Sequence, residues 1–337
     1  MTKILVINQH GSNRGDEAAC RGMLYGLERF IPDAEFTVLT VYPVCLDGIE
    51  NVQLLNNLLL RGLRGRRAIQ SIARHLMGYY TGLGADAHMA DVFAAYRQAD
   101  LIISAPGGPY IGDLYRWTEF EFLFQVMLGT LTSSPVMIYA PSMGPFRQKR
   151  RNRWRQRVLK RVDFITVRES ISAEYLAGLG IRLPDEYITI DSALQCPVDS
   201  ELGDRVFAHA GLNQDQRYIG FVPLELKRFE CEDAKMKYIE LLVQLLHRLV
   251  DRFDARLVFF PQGYGAWHDR PFIESLVSIA GMDDQVHILP ETYNSNEQQA
   301  LVGKMDAFVS FRYHPGIFAW RQFVPCVNVA YEHKAVS

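Results

Sequence analysis

Cysteine is scarce in this chain and follows no pattern. The five residues, Cys20, Cys45, Cys196, Cys231 and Cys326, are odd in number, widely scattered and without a Cys-x-x-Cys pair. That spacing supports neither a disulfide framework nor a cysteine metal site, and it fits a reducing compartment. No ligand-spaced His/Cys cluster occurs, so no metal is expected. No run approaches the ~18 apolar residues that cross a bilayer. The opening stretch Met1–Asn8 is too short for a signal-peptide core and reads as a buried first strand. Net charge is nearly missing as well: 36 Lys and Arg stand against 38 Asp and Glu, a net of −2. No global field therefore draws the chain to nucleic acid, and no nucleic-acid partner is expected. Repeats of about 20–50 residues, the mark of a solenoid, are absent.

What is present is the composition of a large folded core. Of 337 residues, 48% are hydrophobic and 22% charged, and that length argues for two domains. Short β runs alternate with polar, glycine-containing loops and helical stretches. Strands are expected at Lys3–Asn8, Glu35–Tyr42, Asp100–Ala105, Pro135–Ala140, Asp163–Val167 and Tyr187–Ile190. A second series follows at Tyr218–Pro223, Arg256–Pro261, Val286–Leu289, Ala307–Phe311 and Cys326–Ala330. Continuous Val/Ile/Leu runs of this length suit strands buried on both faces of a parallel sheet. Helices are expected at Asp16–Phe30, Thr118–Thr132, Ala234–Phe253, Pro271–Ala280, Ser295–Val302 and His314–Arg321. The stretch Ser192–Gln216 carries no clear element and reads as a linker. The fold class is therefore α/β with two Rossmann-like domains, residues 1–200 and 201–337.

In a parallel sheet, ligands bind outside the carboxyl ends of the strands, and here those loops are unusually polar. Gln9-His10-Gly11-Ser12-Asn13-Arg14-Gly15-Asp16-Glu17 opens a helix whose first N–H groups suit an anion. It is not Gly-x-Gly-x-x-Gly, so it gives little support to a dinucleotide. Pro106-Gly107-Gly108-Pro109 lets backbone approach a ligand, or simply turns the chain. Arg168-Glu169-Ser170 places an Arg at a strand end, suited to an anionic ligand or to a salt bridge with Glu169 or another neighbour. Phe260-Pro261-Gln262-Gly263 is a further polar strand end. The sharpest cluster is Ser310-Phe311-Arg312-Tyr313-His314-Pro315-Gly316, where a strand turns into a helix. Arg312 and His314 at the positive end of that helix make a compact site for phosphate or carboxylate.

Taken together the loops resemble the polysaccharide pyruvyl transferase family. The matching segments are Asn13-Arg14-Gly15-Asp16, Ala105-Pro106-Gly107-Gly108, Ser142-Met143-Gly144-Pro145-Phe146 and Val167-Arg168-Glu169-Ser170. Asp191-Ser192-Ala193-Leu194, Phe311-Arg312-Tyr313-His314 and Tyr331-Glu332-His333-Lys334 continue the series. The resemblance spans nearly the whole chain and rests on the order and spacing of the segments. It implies a GT-B-like arrangement of two Rossmann-like domains facing a cleft, with the acceptor on the first domain and the donor on the second. It also implies transfer of pyruvate from phosphoenolpyruvate onto two hydroxyls of one sugar, giving a cyclic ketal on a surface polysaccharide or its precursor. Phosphoenolpyruvate is then a co-substrate and no separate cofactor is expected. Arg168, Arg312 and His314 fall where the family binds it. Members of the family usually continue past the Tyr-x-x-Lys segment, whereas this chain stops three residues after Lys334, as a short protein or a truncated form would.

The chemistry needs fixed cations, a general acid and a general base. The substrate-binding candidates are Arg168, Arg312, Tyr313, Lys334, Asn13, Gly15, Gly107, Gly108 and Gln262. The catalytic candidates are His314 as acid or phosphate ligand, and Asp16, Glu169 and then Asp191 as bases. The rival function is a GT-B glycosyltransferase using a nucleotide sugar. Against it, the Arg312–Gly316 turn holds no carboxylate to grip a ribose. A third possibility is a non-catalytic binding or regulatory protein. Finally, Arg147–Arg161 contains no acid, and a second basic stretch runs through Arg61, Arg64, Arg66, Arg67 and Arg74. Such faces suit either an anionic membrane surface bearing a lipid-linked oligosaccharide acceptor, or a solvated covering layer. A cytoplasmic protein, peripheral at the inner membrane face, is the expectation, with the oligomeric state open.

Overall fold

The computed structural model describes residues 1–42, 44–57, 66–83, 87–197, 199–226, 231–264 and 268–330; the side chains of residues 66–69 and of Trp117 lie outside the description. Valine- and isoleucine-rich runs become strands, and the amphipathic stretches between them become helices that cover the sheet faces. The order is β1 (Thr2–Gln9), α1 (Arg14–Phe30), β2 (Ala34–Thr40), β3 (Val52–Asn56), α2 (Arg66–Thr81), α3 (Ala87–Gln98) and β4 (Leu101–Ser104). Next come α4 (Arg116–Gly129), β5 (Val136–Ile138), α5 (Lys149–Leu159), β6 (Phe164–Ile165), α6 (Ser170–Gly178) and α7 (Ser200–His209). The remainder is β7 (Tyr218–Val222), α8 (Glu232–Phe253), β8 (Arg256–Phe259), α9 (Arg270–Ala280), β9 (Val286–Ile288), α10 (Ser295–Val302), β10 (Ala307–Ser310), α11 (Tyr313–Arg321) and β11 (Cys326–Asn328).

Two sheets form, with every strand pairing parallel among the described residues. Their orders are β3-β2-β1-β4-β5-β6 and β11-β10-β7-β8-β9. Each is wound outward in both directions from its first strand, the doubly wound order of a Rossmann-like unit. In such sheets the winding reverses between two neighbouring central strands, and the loops leaving those strands frame the ligand crevice. The strands concerned are β1 and β4 in the first unit, β7 and β10 in the second.

The period of two along β1 sends Leu5 and Ile7 into a core with Phe93, Tyr96 and Phe124, and Ile4 and Val6 into another with Met23 and Leu24. In the second unit, Ile219 and Phe221 of β7 pack with Leu242 and Leu246 of α8 and Ile273 and Val277 of α9. Each fully buried large apolar side chain contributes roughly 1.5–3 kcal/mol. Gly220, at the middle of β7, has no room for a β-carbon beside the Phe308 ring. The missing side chain lets Phe308 and Phe260 pack with ring centroids 5.2 Å apart. α10 starts with a reciprocal cap: Asn294 Oδ1 accepts from the Glu297 N–H at 3.0 Å, and Glu297 Oε2 accepts from the Asn294 N–H at 2.8 Å.

The structure departs from the sequence reading in four places. Tyr187–Ile190 is not a sheet strand; a 3-10 turn occupies Asp185–Tyr187, and Ile188 makes only an isolated bridge to Val167. The stretch expected as linker, Ser192–Gln216, holds a 3-10 turn at Ser192–Gln195 and the helix α7, capped by Asp199 Oδ1 accepting from the Leu202 N–H at 2.8 Å. Strand β3 and helices α2 and α3 fall where no element was assigned. The compact units are also divided differently from residues 1–200 and 201–337. The first comprises Met1–Gly11 and Ala19–Gln195, and the second comprises Ser12–Ala18 together with the described residues from Cys196 to Ala330. Ser12–Ala18 joins the second unit because Asn13 bridges Gly263, the Arg14 N–H donates to Gln262 O at 3.0 Å, and the Tyr264 N–H donates to Ser12 O at 3.1 Å.

Candidate functional site

The second unit's site grows from the turn between β10 and α11. Arg312 is the N-cap of α11 in extended conformation. Ser310 Oγ ties the turn by donating to Arg312 O at 2.6 Å and accepting from the Arg312 N–H at 3.1 Å. On β11, Asn328 with its amide nitrogen turned inward donates to Ser310 O at 3.0 Å and Arg312 O at 3.1 Å. Arg312 Nη2 pairs with Asp269 Oδ1. The other oxygen of Asp269 accepts from the Gln262 N–H at 2.9 Å and the Gly263 N–H at 2.8 Å. One carboxylate thus fixes both the β8–α9 loop and the Arg312 guanidinium. The buried Nε of Arg312 has no hydrogen-bond partner among the described residues. His314, the second residue of α11, is buried at 8% exposure.

Against this turn lies the start of α1. A β-carbon on Gly15 would overlap Cβ, Cγ and Nδ1 of His314, so the imidazole rests directly on the Gly15 backbone. Asn13 Oδ1 accepts from the Gly15 N–H at 2.7 Å. Two helix N-termini, each with a partial positive charge, therefore meet beside Arg312 and His314. Asp16 sits in that same first turn and is 3% exposed.

Beneath it lies a polar network built on Glu17, which is fully buried. Its carboxylate accepts from Arg14 Nη1 at 2.8 Å, from the Ser295 N–H at the start of α10 at 2.6 Å, and from Tyr264 Oη at 3.3 Å. The Arg14 guanidinium lies 4.1 Å from the Tyr264 ring centroid and also donates to Glu291 O at 2.7 Å. Burial, with the Glu17 charge beside it, pushes the Tyr264 hydroxyl well above its ordinary range, so Tyr264 stays protonated and donates.

Of the residues expected from sequence, Asn13, Gly15, Asp16, Arg312, Tyr313 and His314 come together here. Gln262 is present but turned inward: at 1% exposure, its Nε2 donates to Gln298 Oε1 at 2.6 Å and to Phe260 O at 3.2 Å. Lys334 lies outside the described residues. Asp269, Arg14, Tyr264 and Ser295 were not among the expected site residues. A Pro at the first turn of α9 signalled a helix start just after Asp269, but nothing local announced the partner 43 residues away.

Arg168 and Glu169 belong to the first unit and form a separate network. The Arg168 side chain has no exposure; Nη1 pairs with Asp191 Oδ2, and Nε donates to Ser142 Oγ at 2.9 Å. Glu169 accepts from Ser142 Oγ at 3.1 Å and from Ser172 Oγ. Asp191 Oδ1 accepts from the Ala193 N–H at 2.9 Å. The principal partner of Arg168 is thus Asp191, with Glu169 at 3.4 Å. Gly107 and Gly108 follow β4 in the same unit; Gly107 O accepts from the Ser142 N–H at 3.1 Å, linking that turn to the network.

A family model described as polysaccharide pyruvyl transferase matches residues 13–333. Among curated proteins, the amylovoran biosynthesis protein AmsJ of Erwinia amylovora is 22% identical over 355 residues, covering 99% of this chain and 85% of that protein. Among solved structures, a putative UDP-N-acetylglucosamine 2-epimerase from Listeria monocytogenes superposes with a TM-score of 0.60 at 14% identity, covering 98% of this chain and 80% of the other. The UDP-GlcNAc 2-epimerase of Neisseria meningitidis, bound to UDP-GlcNAc, gives 0.59 at 11% identity, covering 99% and 84%. ADP-heptose heptosyltransferase II of E. coli gives 0.51 at 14% identity, covering 97% and 84%. At such identities the likeness is one of fold alone, the GT-B type with two Rossmann-like units.

Proposed function

The chain belongs to the polysaccharide pyruvyl transferase family, and on that premise we propose that it moves pyruvate from phosphoenolpyruvate onto two hydroxyls of a sugar as a cyclic ketal. The observation that carries this reading is the β10–α11 turn. Arg312, with its Nε unpartnered among the described residues, and His314 stand at a helix N-terminus against the Gly15 backbone. A fixed guanidinium, an imidazole and helix-terminal N–H groups suit a small ligand bearing both phosphate and carboxylate.

In the reaction proposed, the methylene carbon of phosphoenolpyruvate takes a proton and becomes the methyl group. The central carbon takes the oxygen of one sugar hydroxyl, the C–O bond to phosphate breaks, and the second hydroxyl closes the ring. The two hydroxyl protons end on the methyl carbon and on the departing phosphate. Arg312 holds the anion, with Asp269 fixing its guanidinium. His314 binds or protonates the leaving phosphate, and Asp16, beside Gly15, is the first choice for the base. Tyr313 and Asn13 line the same turn; Glu169 is the second choice of base, and Arg168 holds the Asp191–Ser142–Glu169 network in place. Lys334, Gly107 and Gly108 remain assigned to substrate binding by family resemblance.

The acceptor is read as a sugar or lipid-linked oligosaccharide on the route to a surface polysaccharide, in keeping with a relative named for amylovoran biosynthesis. An enzyme drawing on phosphoenolpyruvate works where that metabolite is made, in the cytoplasm. The test is incubation with phosphoenolpyruvate and a panel of lipid-linked and soluble glycans, following phosphate release and the mass of the glycan. Acceptor-dependent phosphate release with formation of a pyruvylated glycan supports the reading. Glycosyl transfer from a nucleotide sugar, with phosphoenolpyruvate inert, replaces it by the glycosyltransferase alternative.

A further inference from the structure

The helix α5 sorts its cations by face. Arg151 and Arg155 turn inward. Arg155, fully buried, pairs with Glu119 at 2.7 Å and Asp113 at 2.6 Å, and stacks 4.9 Å from the Phe146 ring centroid. Arg151 pairs with Glu119 and lies 3.7 Å from Asp113. Val158 and Leu159 are buried beside them, and Trp154 packs partly buried on the same core. The two acids that this helix needs are thus consumed on its inner side.

The outer side is different. Lys149, Arg150, Arg153, Arg157 and Lys160 are all exposed, and at 3.6 residues per turn they share an arc of roughly 100° along about 16 Å of helix. None of the five forms an ion pair with a described residue. Exposed Arg147 and Arg161 extend the same charge at either end, and no acid occurs between them. Five unneutralised like charges at this spacing repel one another, and a polyanionic partner would relieve that repulsion.

We propose that the outer face of α5 docks the protein on an anionic bilayer surface. This goes beyond pyruvyl transfer and does not depend on it. A bilayer fits better than nucleic acid for three reasons. The chain as a whole carries a net charge of −2, lacking the domain-wide basic field of a nucleic-acid binder. The five charges sit on one helix side at the ends of long flexible stems, which can meet a plane of headgroups. The two aromatics described beside α5, Trp154 and Phe146, pack on the core rather than turning their faces outward to stack with bases.

The experiment is sedimentation of the full chain with neutral phosphatidylcholine vesicles and with vesicles containing phosphatidylglycerol, at about 0.05 M and about 0.5 M salt. Binding to the anionic vesicles alone, falling at least tenfold at the higher salt, is expected. The triple variant Arg150→Glu, Arg153→Glu and Arg157→Glu should lower it about a hundredfold or more. Arg248→Glu, an exposed charge reversal on α8, should leave it unchanged. None of these three arginines forms an ion pair with a described residue, and the matching Arg→Gln triple variant, expected to lie between, guards against a folding defect. Equal partitioning to neutral vesicles, insensitivity to salt, or wild-type binding by the triple variant overturns the proposal. So does tighter binding of a single-stranded oligonucleotide than of the anionic vesicles at the same salt.

Discussion

Gly15 lies so close to His314 that a β-carbon on the glycine would fall within the imidazole. That contact presses the first turn of α1 onto the first turn of α11, and it fixes the ring at the mouth of two helix N-termini. Gly15→Ala should therefore displace His314 rather than leave it in place. Overpacking of this kind costs about 1–3 kcal/mol. Thermal unfolding should report that loss, and phosphoenolpyruvate binding should weaken in the still-folded variant. Binding and stability equal to wild type would mean that the imbrication of Gly15 and His314 is not what shapes the site.

Asp269 holds Arg312 and, through its second oxygen, the Gln262 and Gly263 N–H groups. Asp269→Ala leaves two buried donors without an acceptor and releases the guanidinium. Each unsatisfied donor costs about 1–3 kcal/mol, so both stability and donor affinity should fall. Arg312→Ala should cut donor affinity with a smaller loss of stability. Denaturant unfolding and ligand titration on the two variants separate the effects.

Glu17 is fully buried and anchors Arg14, Tyr264 and the N-terminus of α10. Removing one partner of a buried pair costs about 3–5 kcal/mol because the other charge is stranded. Glu17→Ala should destabilise by that order, and Glu17→Gln by less, since the amide oxygen still accepts from Ser295. Urea unfolding midpoints of the two variants check the ranking.

Much of this was legible in the sequence, and the reasons differ by element. The central strands announced themselves because both faces are buried and their Val/Ile/Leu runs are continuous. β3 did not, because its residues are half-buried or exposed along an edge. α7 was hidden by Gly203 at its middle, although its Asp199 cap was visible. The Arg312–His314 turn stood out by its local residue types. Its supports did not: Asp269 is 43 residues from Arg312, and Ser295 is 278 from Glu17. Pairings over such separations leave no local trace. The salt-bridge alternative for Arg168 was foreseen, but its main partner is Asp191, 23 residues along the chain.

Asp113 gives a pH signature. Burial by itself would raise its carboxyl, but the hydrogen bond and charge of Arg155 and the Arg147 and Gln148 N–H groups outweigh that and hold it below the ordinary 3.8. A carboxyl depressed in the folded state adds stability that is fully present above 3.8 and is lost as pH falls through the folded value. Asp113→Asn should thus be less stable than wild type at neutral pH, with the gap closing below about pH 3.8. Unfolding free energies measured across that range test it; a gap independent of pH would remove Asp113 from the acid response.

The most direct measurement is calorimetric titration of the wild type and Arg312→Ala with phosphoenolpyruvate and with UDP-N-acetylglucosamine. A charged contact contributes roughly 1.5–3 kcal/mol, about tenfold or more in affinity. The expected result is saturable binding of phosphoenolpyruvate, weakened at least tenfold by Arg312→Ala, with little binding of the nucleotide sugar. Binding of the nucleotide sugar alone, or phosphoenolpyruvate affinity unchanged by the substitution, would contradict a donor site at the β10–α11 turn.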